Sequence, residues 1–431
     1  MAVFTFLMTL IFVAVLLRSR RPPASTIAWL GAVILIPYIG VPLFLMFGVR
    51  KIRIQKRSLT SSEVAQFKRI KPNTEITFLT TGEEALKCLL RNIREARESI
   101  DLSTFILSKD ETGRQVLQEL TAQAARGVRV RLLLDSFGSS FLVRPSLKEF
   151  RLAGGKVAFF MPLLHLPFRG QANLRNHRKI AVFDQKATWF GGMNIAKEYL
   201  GPAEPNLRWT DLSISLQGES VGDLQHIFDA DWAFATKSDE KNRPTVTTPH
   251  SPNESALAQV VPSGPDTSLD SIYESLLNEC YRAQSRIWIT TPYFIPDESL
   301  IKALELAGRR GVDVRVLLPR KSNHFFADLS RTTYLRQLIE AGGRAFFYPK
   351  MMHAKVVTFD DQVCLVGSAN FDLRSLLYNF EIGVLLTSAK EIQTAIAFQE
   401  GLFEKSQSEM PKRSLFRDLI EGLGRIFGQL L

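Results

Sequence analysis

The sequence predicts an α/β protein built from two similar halves, about residues 72–235 and 257–408, related by a pseudo-twofold axis and preceded by an apolar N-terminal hairpin. Three observations predict it: a polar motif that occurs twice with its spacing intact, a strand–helix–strand pattern repeated ahead of each copy, and two uncharged runs at the N-terminus.

Residues 1–17 carry no charged side chain, Arg18-Ser19-Arg20-Arg21-Pro22-Pro23 interrupts them, and residues 24–49 are again uncharged. Spanning a hydrocarbon core takes about 20 apolar helical residues, so the second run is long enough and the first sits at the lower limit. The pair over 1–49 reads as a membrane hairpin rather than a cleaved signal, because positive charge follows the first run instead of preceding it. Pro37, Gly40 and Pro42 weaken the second helix, so a kinked or re-entrant hairpin competes with two straight spans. The juxtamembrane linker, 50–71, opens with five basic residues between Arg50 and Arg57 against three between Arg18 and Arg21, which places the following domain on the cytoplasmic side.

In the first half, 99–104 and 128–134 read as strands flanking a helix that Gly127 closes; in the second, 286–291 and 312–318 repeat the pattern around Gly311. Leu152-Ala153-Gly154-Gly155-Lys156 and Glu340-Ala341-Gly342-Gly343-Arg344 each end a further helix before a strand. Strands alternating with helices indicate a sheet covered by helices on both faces. Residues 159–170, apolar and broken by prolines, have only a short counterpart at 346–352; this insertion could admit acyl chains, with Arg169 and Arg175 near a headgroup and His165 available for a secondary substrate role.

Residues 236–256 are rich in Ser, Thr, Pro and Asn and read as an exposed connector. In the tail, 409–431, Leu415, Phe416, Leu419, Ile420, Leu423, Ile426 and Phe427 fall at helical spacing, suiting a helix that lies among headgroups or docks on its own domain. Cys88, Cys280 and Cys364 are odd in number with no CxxC, which points away from a disulfide framework or zinc site and suits a reducing compartment. A formal net charge of +11 favours an anionic partner. Charge alone fits nucleic acid as well as lipid; the apolar hairpin favours an anionic lipid bilayer.

The doubled motif carries the chemistry. One copy runs His177, Lys179, Asp184, Gly191-Gly192-Met193-Asn194; the other runs His353, Lys355, Asp360, Gly367-Ser368-Ala369-Asn370. The β-branched, apolar segments 180–183 and 356–359 read as buried strands. Residues i and i+2 share a strand face, so each histidine and its lysine point into one space, and the glycine turn lets the asparagine amide approach it. Two imidazoles suit a double displacement at phosphorus, one attacking while the other protonates the leaving oxygen and then deprotonates the acceptor. Lys179, Lys355, Asn194 and Asn370 would bind the phosphate oxygens. Neither metal nor cofactor is required.

This pattern resembles the phospholipase D superfamily. The resemblance implies two phospholipase D-like α/β halves, a phosphohistidine intermediate, and an acidic residue beyond each motif that orients the imidazole, here Asp211 and Glu381. It counts Asp184 and Asp360 within the catalytic motif, although family aspartates at these positions are more often structural. His177 is expected to attack and His353 to act as acid and then base, because the family more often attacks with its first motif. The hairpin, the segment 21–29, Asn176-His177-Arg178-Lys179, 260–266 and 291–296 are together similar to the bacterial cardiolipin synthase family. That implies transfer of a phosphatidyl group between two phosphatidylglycerols at the bacterial inner membrane, releasing glycerol. Hydrolysis, or transfer to another alcohol, would use the same residues.

Overall fold

A computed structural model describes residues 2–18, 23–47, 67–139, 144–161, 174–202, 208–238, 256–267, 269–408, 410 and 421. The strands are β1 (Lys71–Leu79), β2 (Ser99–Thr104), β3 (Arg129–Asp135), β4 (Lys156–Phe160), β5 (Ile180–Phe183), β6 (Ala187–Gly191), β7 (Ser213–Gly218), β8 (Ala256–Ser263), β9 (Arg286–Thr290), β10 (Phe294–Ile295), β11 (Asp313–Pro319), β12 (Arg344–Tyr348), β13 (Val356–Phe359), β14 (Val363–Gly367), β15 (Phe371–Asp372) and β16 (Glu381–Leu386). Among the described residues, fourteen of them form one sheet in the order β12-β11-β9-β13-β14-β16-β8-β1-β7-β6-β5-β2-β3-β4. Read outward from the central β1–β8 pair, the two arms repeat each other strand for strand. The seam is the antiparallel pairing of Lys71–Asn73 with Ala256–Ala258.

Side-chain alternation along the strands builds the cores. Ala181 and Phe183 of β5 join the helices Gly82–Glu95 and Glu111–Ala125 on one face. Ile180 and Val182 turn to the other face and enter a core shared with Val356, Val384 and the helix Ala389–Phe403. Val357 and Phe359 return to the first face, against the helices Ser271–Arg282 and Glu298–Arg309. One core therefore runs across both halves, which fixes their relative placement. Each half also uses the same helix start, with Asp110 accepting from the Gly113 amide at 2.9 Å and Asp297 from the Leu300 amide at 3.0 Å.

The strand pairing places the motifs. Parallel β2 and β3 run side by side, and β5 returns antiparallel to β2 with Ser103 opposite Ile180. In the other half β13 returns antiparallel to β9 with Thr290 opposite Val356. Both histidines precede these returning strands, so both lie beyond the C-terminal ends of the parallel strands, where α/β sheets place their sites.

The N-terminal segment forms helices Ala2–Arg18, Pro23–Leu35 and Pro37–Phe47. The second apolar run is thus broken at Ile36, because a residue before proline disfavours helical backbone and Pro37 suits a helix start. The two pieces approach closely: a Cβ on Gly40 would lie 2.2 Å from the Ala32 carbonyl oxygen. Leu16, Val33, Val41 and Phe44 pack inside this bundle, whereas Ile27, Leu35 and Tyr38 face outward. Among the described residues no helix is long and apolar enough to cross a membrane. A straight second span is therefore not found; the break matches the kinked alternative. The arginine turn at 19–22, the basic block 50–57, the loop 162–173 with His165 and Arg169, the connector 239–255 and the tail from 411 apart from Glu421 lie outside the described residues.

Candidate active site

The two motifs meet where the halves cross. His177 donates its backbone N–H to the Phe380 carbonyl at 2.9 Å, and His353 donates its own to the Thr210 carbonyl at 2.6 Å. Each motif is thereby stitched to the segment of the other half that carries the downstream acid. The pairing of side chains is reciprocal. His177 Nδ1 lies 2.9 Å from Glu381 Oε1, and His353 Nδ1 lies 2.7 Å from Asp211 Oδ2. Both carboxylates are buried to 1% exposure or less. An acid on Nδ1 fixes the ring and leaves Nε2 for chemistry.

The acids differ in length, and the glycine turns differ to match. Ser368 donates its hydroxyl to Glu381 Oε2 and accepts from the Ile382 amide at 3.0 Å, while Asn379 Nδ2 adds a contact to Glu381 Oε1 at 3.3 Å. In the other half Asp211 occupies the equivalent space itself, since a Cβ on Gly192 would lie 2.2 Å from its Oδ1. That oxygen accepts from the Leu212 amide at 2.7 Å. The Gly192/Ser368 inequality is therefore a packing consequence of Asp against Glu.

The lysines are buried beside their histidines. Lys179 Nζ donates to the His177 carbonyl at 2.7 Å. Lys355 Nζ donates to the His353 carbonyl and lies 2.6 Å from His353 Nδ1 and 3.1 Å from Nε2. Burial pushes Lys179 down to about 7, against the pull of Glu381, and pushes Lys355 down to about 8, against Asp211. His353 is pushed down to about 3 by burial and then by the Lys355 ammonium, with Asp211 opposing. Burial also lowers His177, with Glu381 pulling it back up. Burial would raise both acids, but Lys355 and His353 hold Asp211, and His177 and Lys179 hold Glu381, below the usual carboxylate range. The result is a cluster of neutral imidazoles between charged acids and easily discharged lysines. An anion entering it would raise all four bases.

The asparagines stand at the same end of the sheet, but their amides serve their own halves. Asn194 accepts from the Ile106 amide at 3.2 Å and bonds the Tyr199 phenol. Asn370 bonds Asp372 and lines a cavity with Lys355, Thr290 and Thr291.

Asp184 and Asp360 require a correction, because the structure does not bring them to the site. Each follows the far end of its four-residue strand, roughly 13 Å of chain from the lysine side. The Asp184 carboxylate accepts from the amides of Arg97, Glu98 and Ser99, all at 2.8 Å. Asp360 does the same for Gln284, Ser285 and Arg286. Both sit in left-handed backbone, φ 49° and 51°, which aspartate tolerates through such bonding. They tie the start of the neighbouring parallel strand.

Several contributors escaped the sequence reading. Arg178, between His177 and Lys179, turns to the opposite strand face and is buried; its guanidinium meets Asp231 at 2.6 Å, the Glu381 carbonyl at 3.0 Å and the Ser263 carbonyl at 3.0 Å. Burial raises Asp231 to about 6 even so, with Arg178 pulling it down. Alternation along the strand was the available signal, yet the second copy has Ala354 at this place. Phe105 packs edge-on to His177 at 5.0 Å, and Tyr199 packs edge-on to His353 at 5.1 Å, with Trp209 at 5.7 Å. No spacing rule marks these rings. Among the described residues no cluster of side chains suits a metal ion.

Comparison with known proteins agrees with this arrangement. Residues 89–232 and 276–401 match the family model described as cardiolipin synthase, PLD-like domain, and residues 7–48 match the phospholipase D-nuclease N-terminal model. The chain is 31% identical to the major cardiolipin synthase ClsA of Bacillus subtilis, covering 100% of this chain and 98% of that one. It is also 31% identical to a cardiolipin synthase of Clostridium perfringens, covering 85% of each. Among solved structures, the phosphatidylserine synthase of Haemophilus influenzae shares the fold at a TM-score of 0.65 and 15% identity, over 86% of this chain and 97% of that one. With two motif-bearing halves, reciprocal acid–histidine pairs and relatives matching along its whole length, the chain belongs to the cardiolipin synthase family of the phospholipase D superfamily.

Proposed function

We propose that the protein is a cardiolipin synthase that moves a phosphatidyl group from one phosphatidylglycerol to the terminal hydroxyl of another, releasing glycerol. The observation that carries this is the reciprocal pairing of two imidazoles with two buried carboxylates beside two buried lysines, in a chain of this family.

In the first step His177 Nε2 attacks phosphorus, the P–O bond to the glycerol headgroup breaks, and His353 gives its Nε2 proton to the departing oxygen. In the second, His353 takes the proton of the incoming lipid hydroxyl, that oxygen attacks phosphorus, and the P–N bond to His177 breaks. Glu381 and Asp211 hold the rings and stabilise the imidazolium forms. Lys179 and Lys355 bind the non-bridging oxygens. Lys355 has a second effect. Its ammonium depresses His353, so a phosphate that draws the charge onto itself lets His353 carry the proton it must donate.

Burial of Lys179, Lys355 and His353, with only 12% of the His177 side chain exposed, favours transfer over hydrolysis by limiting water at the intermediate. Asp184 and Asp360 position strands and take no part in the steps. The apolar N-terminal helices would hold the enzyme at the inner membrane with the two catalytic halves, taken as 72–235 and 257–408, on the cytoplasmic side. Purified protein given phosphatidylglycerol alone should form equimolar cardiolipin and glycerol. Phosphatidic acid as the main product would replace this reading with hydrolysis, and a product that appears only on adding another alcohol would replace it with transfer to that acceptor.

A further inference from the structure

We propose that Phe137, Phe325 and Phe326 form a two-sided hydrophobic rim that seats the mouth of the active site on an anionic lipid bilayer. Among the described residues three phenylalanines stand in water: Phe137 is 63% exposed, Phe325 72% and Phe326 49%. A lone exposed apolar residue needs no explanation, but these occupy equivalent places in the two halves. Phe137 lies in the loop after β3, and Phe325 and Phe326 follow the loop after β11; β3 and β11 are counterparts in the two arms of the sheet. Both loops therefore leave the sheet at the end where the histidines stand.

Contacts lead from each histidine out to the rim. On one side His177 packs on Phe105, whose carbonyl accepts from the Ser139 hydroxyl at 3.0 Å. Gly138 lies against that same carbonyl so closely that a Cβ would come within 2.2 Å of it, and Phe137 is its neighbour. Asp135, at the start of this turn, accepts from the Asn176 amide at 3.0 Å and so ties the loop to the motif. On the other side Lys355, 2.6 Å from His353 Nδ1, lines a cavity with Thr291, whose hydroxyl donates to the Tyr293 carbonyl at 2.9 Å. The Tyr293 ring meets His324 at 5.2 Å, and Phe325 and Phe326 come next, their rings 5.7 Å apart.

Charge identifies the occupant. Exposed Arg320 and Lys321 precede Phe325 and supply the cations of the rim, whereas the Arg175 guanidinium, 5.7 Å from the Phe137 ring, is buried and donates to the Met161 carbonyl at 2.8 Å. Phenylalanines flanked by cations, around the opening of a phosphate site, suit acyl chains below and anionic headgroups at their own level. Seated this way, a lipid phosphate could rise between the two loops to the histidines while its chains stay in the bilayer. This inference rests on the lipid-transfer reading.

The test uses the full chain in nanodiscs containing phosphatidylglycerol. The triple variant Phe137→Ser, Phe325→Ser, Phe326→Ser should lose about tenfold or more in transfer from bilayer lipid. On short-chain phosphatidylglycerol dispersed in detergent it should stay within about twofold of the parent. Equal losses on both substrates, or none on either, would overturn the rim. Independently of catalysis, Phe325→Cys carrying an environment-sensitive fluorophore should be quenched by brominated acyl chains; the native Cys88, Cys280 and Cys364 are buried and spared from labelling. Absence of quenching would refute the seating. Emission that changes instead with protein concentration in lipid-free detergent would assign the rim to a second copy of the chain and also overturn it. Quenching in a protein that makes no cardiolipin would uphold the seating and defeat the lipid-transfer reading alone.

Discussion

Replacing Ser368 by alanine tests whether the acid behind the attacking histidine is held from behind. The Ser368 hydroxyl is buried, donates to Glu381 Oε2 and accepts from the Ile382 amide. Alanine removes a hydrogen bond to a charged acceptor, which contributes about 1.5–3 kcal/mol when buried. Glu381 retains His177 and Asn379, so the carboxylate stays in place but is less well held. If the loss appears in the transition state, kcat/KM should fall about 10- to 100-fold with little change in melting temperature. The reverse exchange, Gly192→Ser, should be far worse. Its Cβ would meet Asp211 Oδ1 at 2.2 Å and Cγ at 2.9 Å, so the acid must move away and His353 loses its partner. The assay is cardiolipin formation by purified variants beside a thermal melt. Equal activity of Ser368→Ala and wild type, or greater activity for Gly192→Ser than for Ser368→Ala, would refute the argument that the two turns are fitted to their acids.

Burial lowers Lys179 to about 7 in the folded protein from an ordinary 10.5, with Glu381 opposing. A lysine lowered on folding binds fewer protons folded than unfolded between those values, so its contribution makes stability rise with pH across that window. Lys179→Met should therefore abolish transfer yet raise the melting temperature at pH 7; a lower melting temperature would contradict the sign. Because Lys179 and Lys355 discharge near 7 and 8, KM for phosphatidylglycerol should climb as pH rises through this range, and a flat KM from pH 6 to 9 would remove them as phosphate ligands. Asp184→Ala leaves three backbone amides without their acceptor, so it should cost about 1–3 kcal/mol of stability while kcat of the folded fraction changes less than about threefold. A large fall in kcat with an unchanged melt would return Asp184 to the chemistry.

Much of this was legible in the sequence for definite reasons. The strands at 180–183 and 356–359 are apolar and β-branched and precede glycine turns, and they form where expected. The paired glycines Gly127 and Gly311 end their helices in left-handed backbone, φ 88° in both, as the repeat implied. The crossing of acids was not legible. Asp211 follows the first motif in sequence, yet it serves the second motif's histidine, because the segments meet through bridges between halves that local pattern does not encode. Nor was the duty of Asp184, since spacing from a histidine does not reveal that the strand carries the aspartate to its far end. The break at Ile36 followed from Pro37, but the close seat of Gly40 on Ala32 depends on tertiary packing.

The central claim, that His177 attacks and His353 transfers protons, is tested most directly with a substrate whose leaving group needs no acid. Phosphatidyl-p-nitrophenol mixed with His353→Ala should release a burst of about one p-nitrophenolate per protein, then stall for want of a base. Peptide mapping after a mildly alkaline quench, which spares a P–N bond, should place the phosphatidyl group on His177, and His177→Ala should give no burst. A burst from His177→Ala, with the adduct on His353, would reverse the assignment; no adduct on either histidine would contradict the account itself.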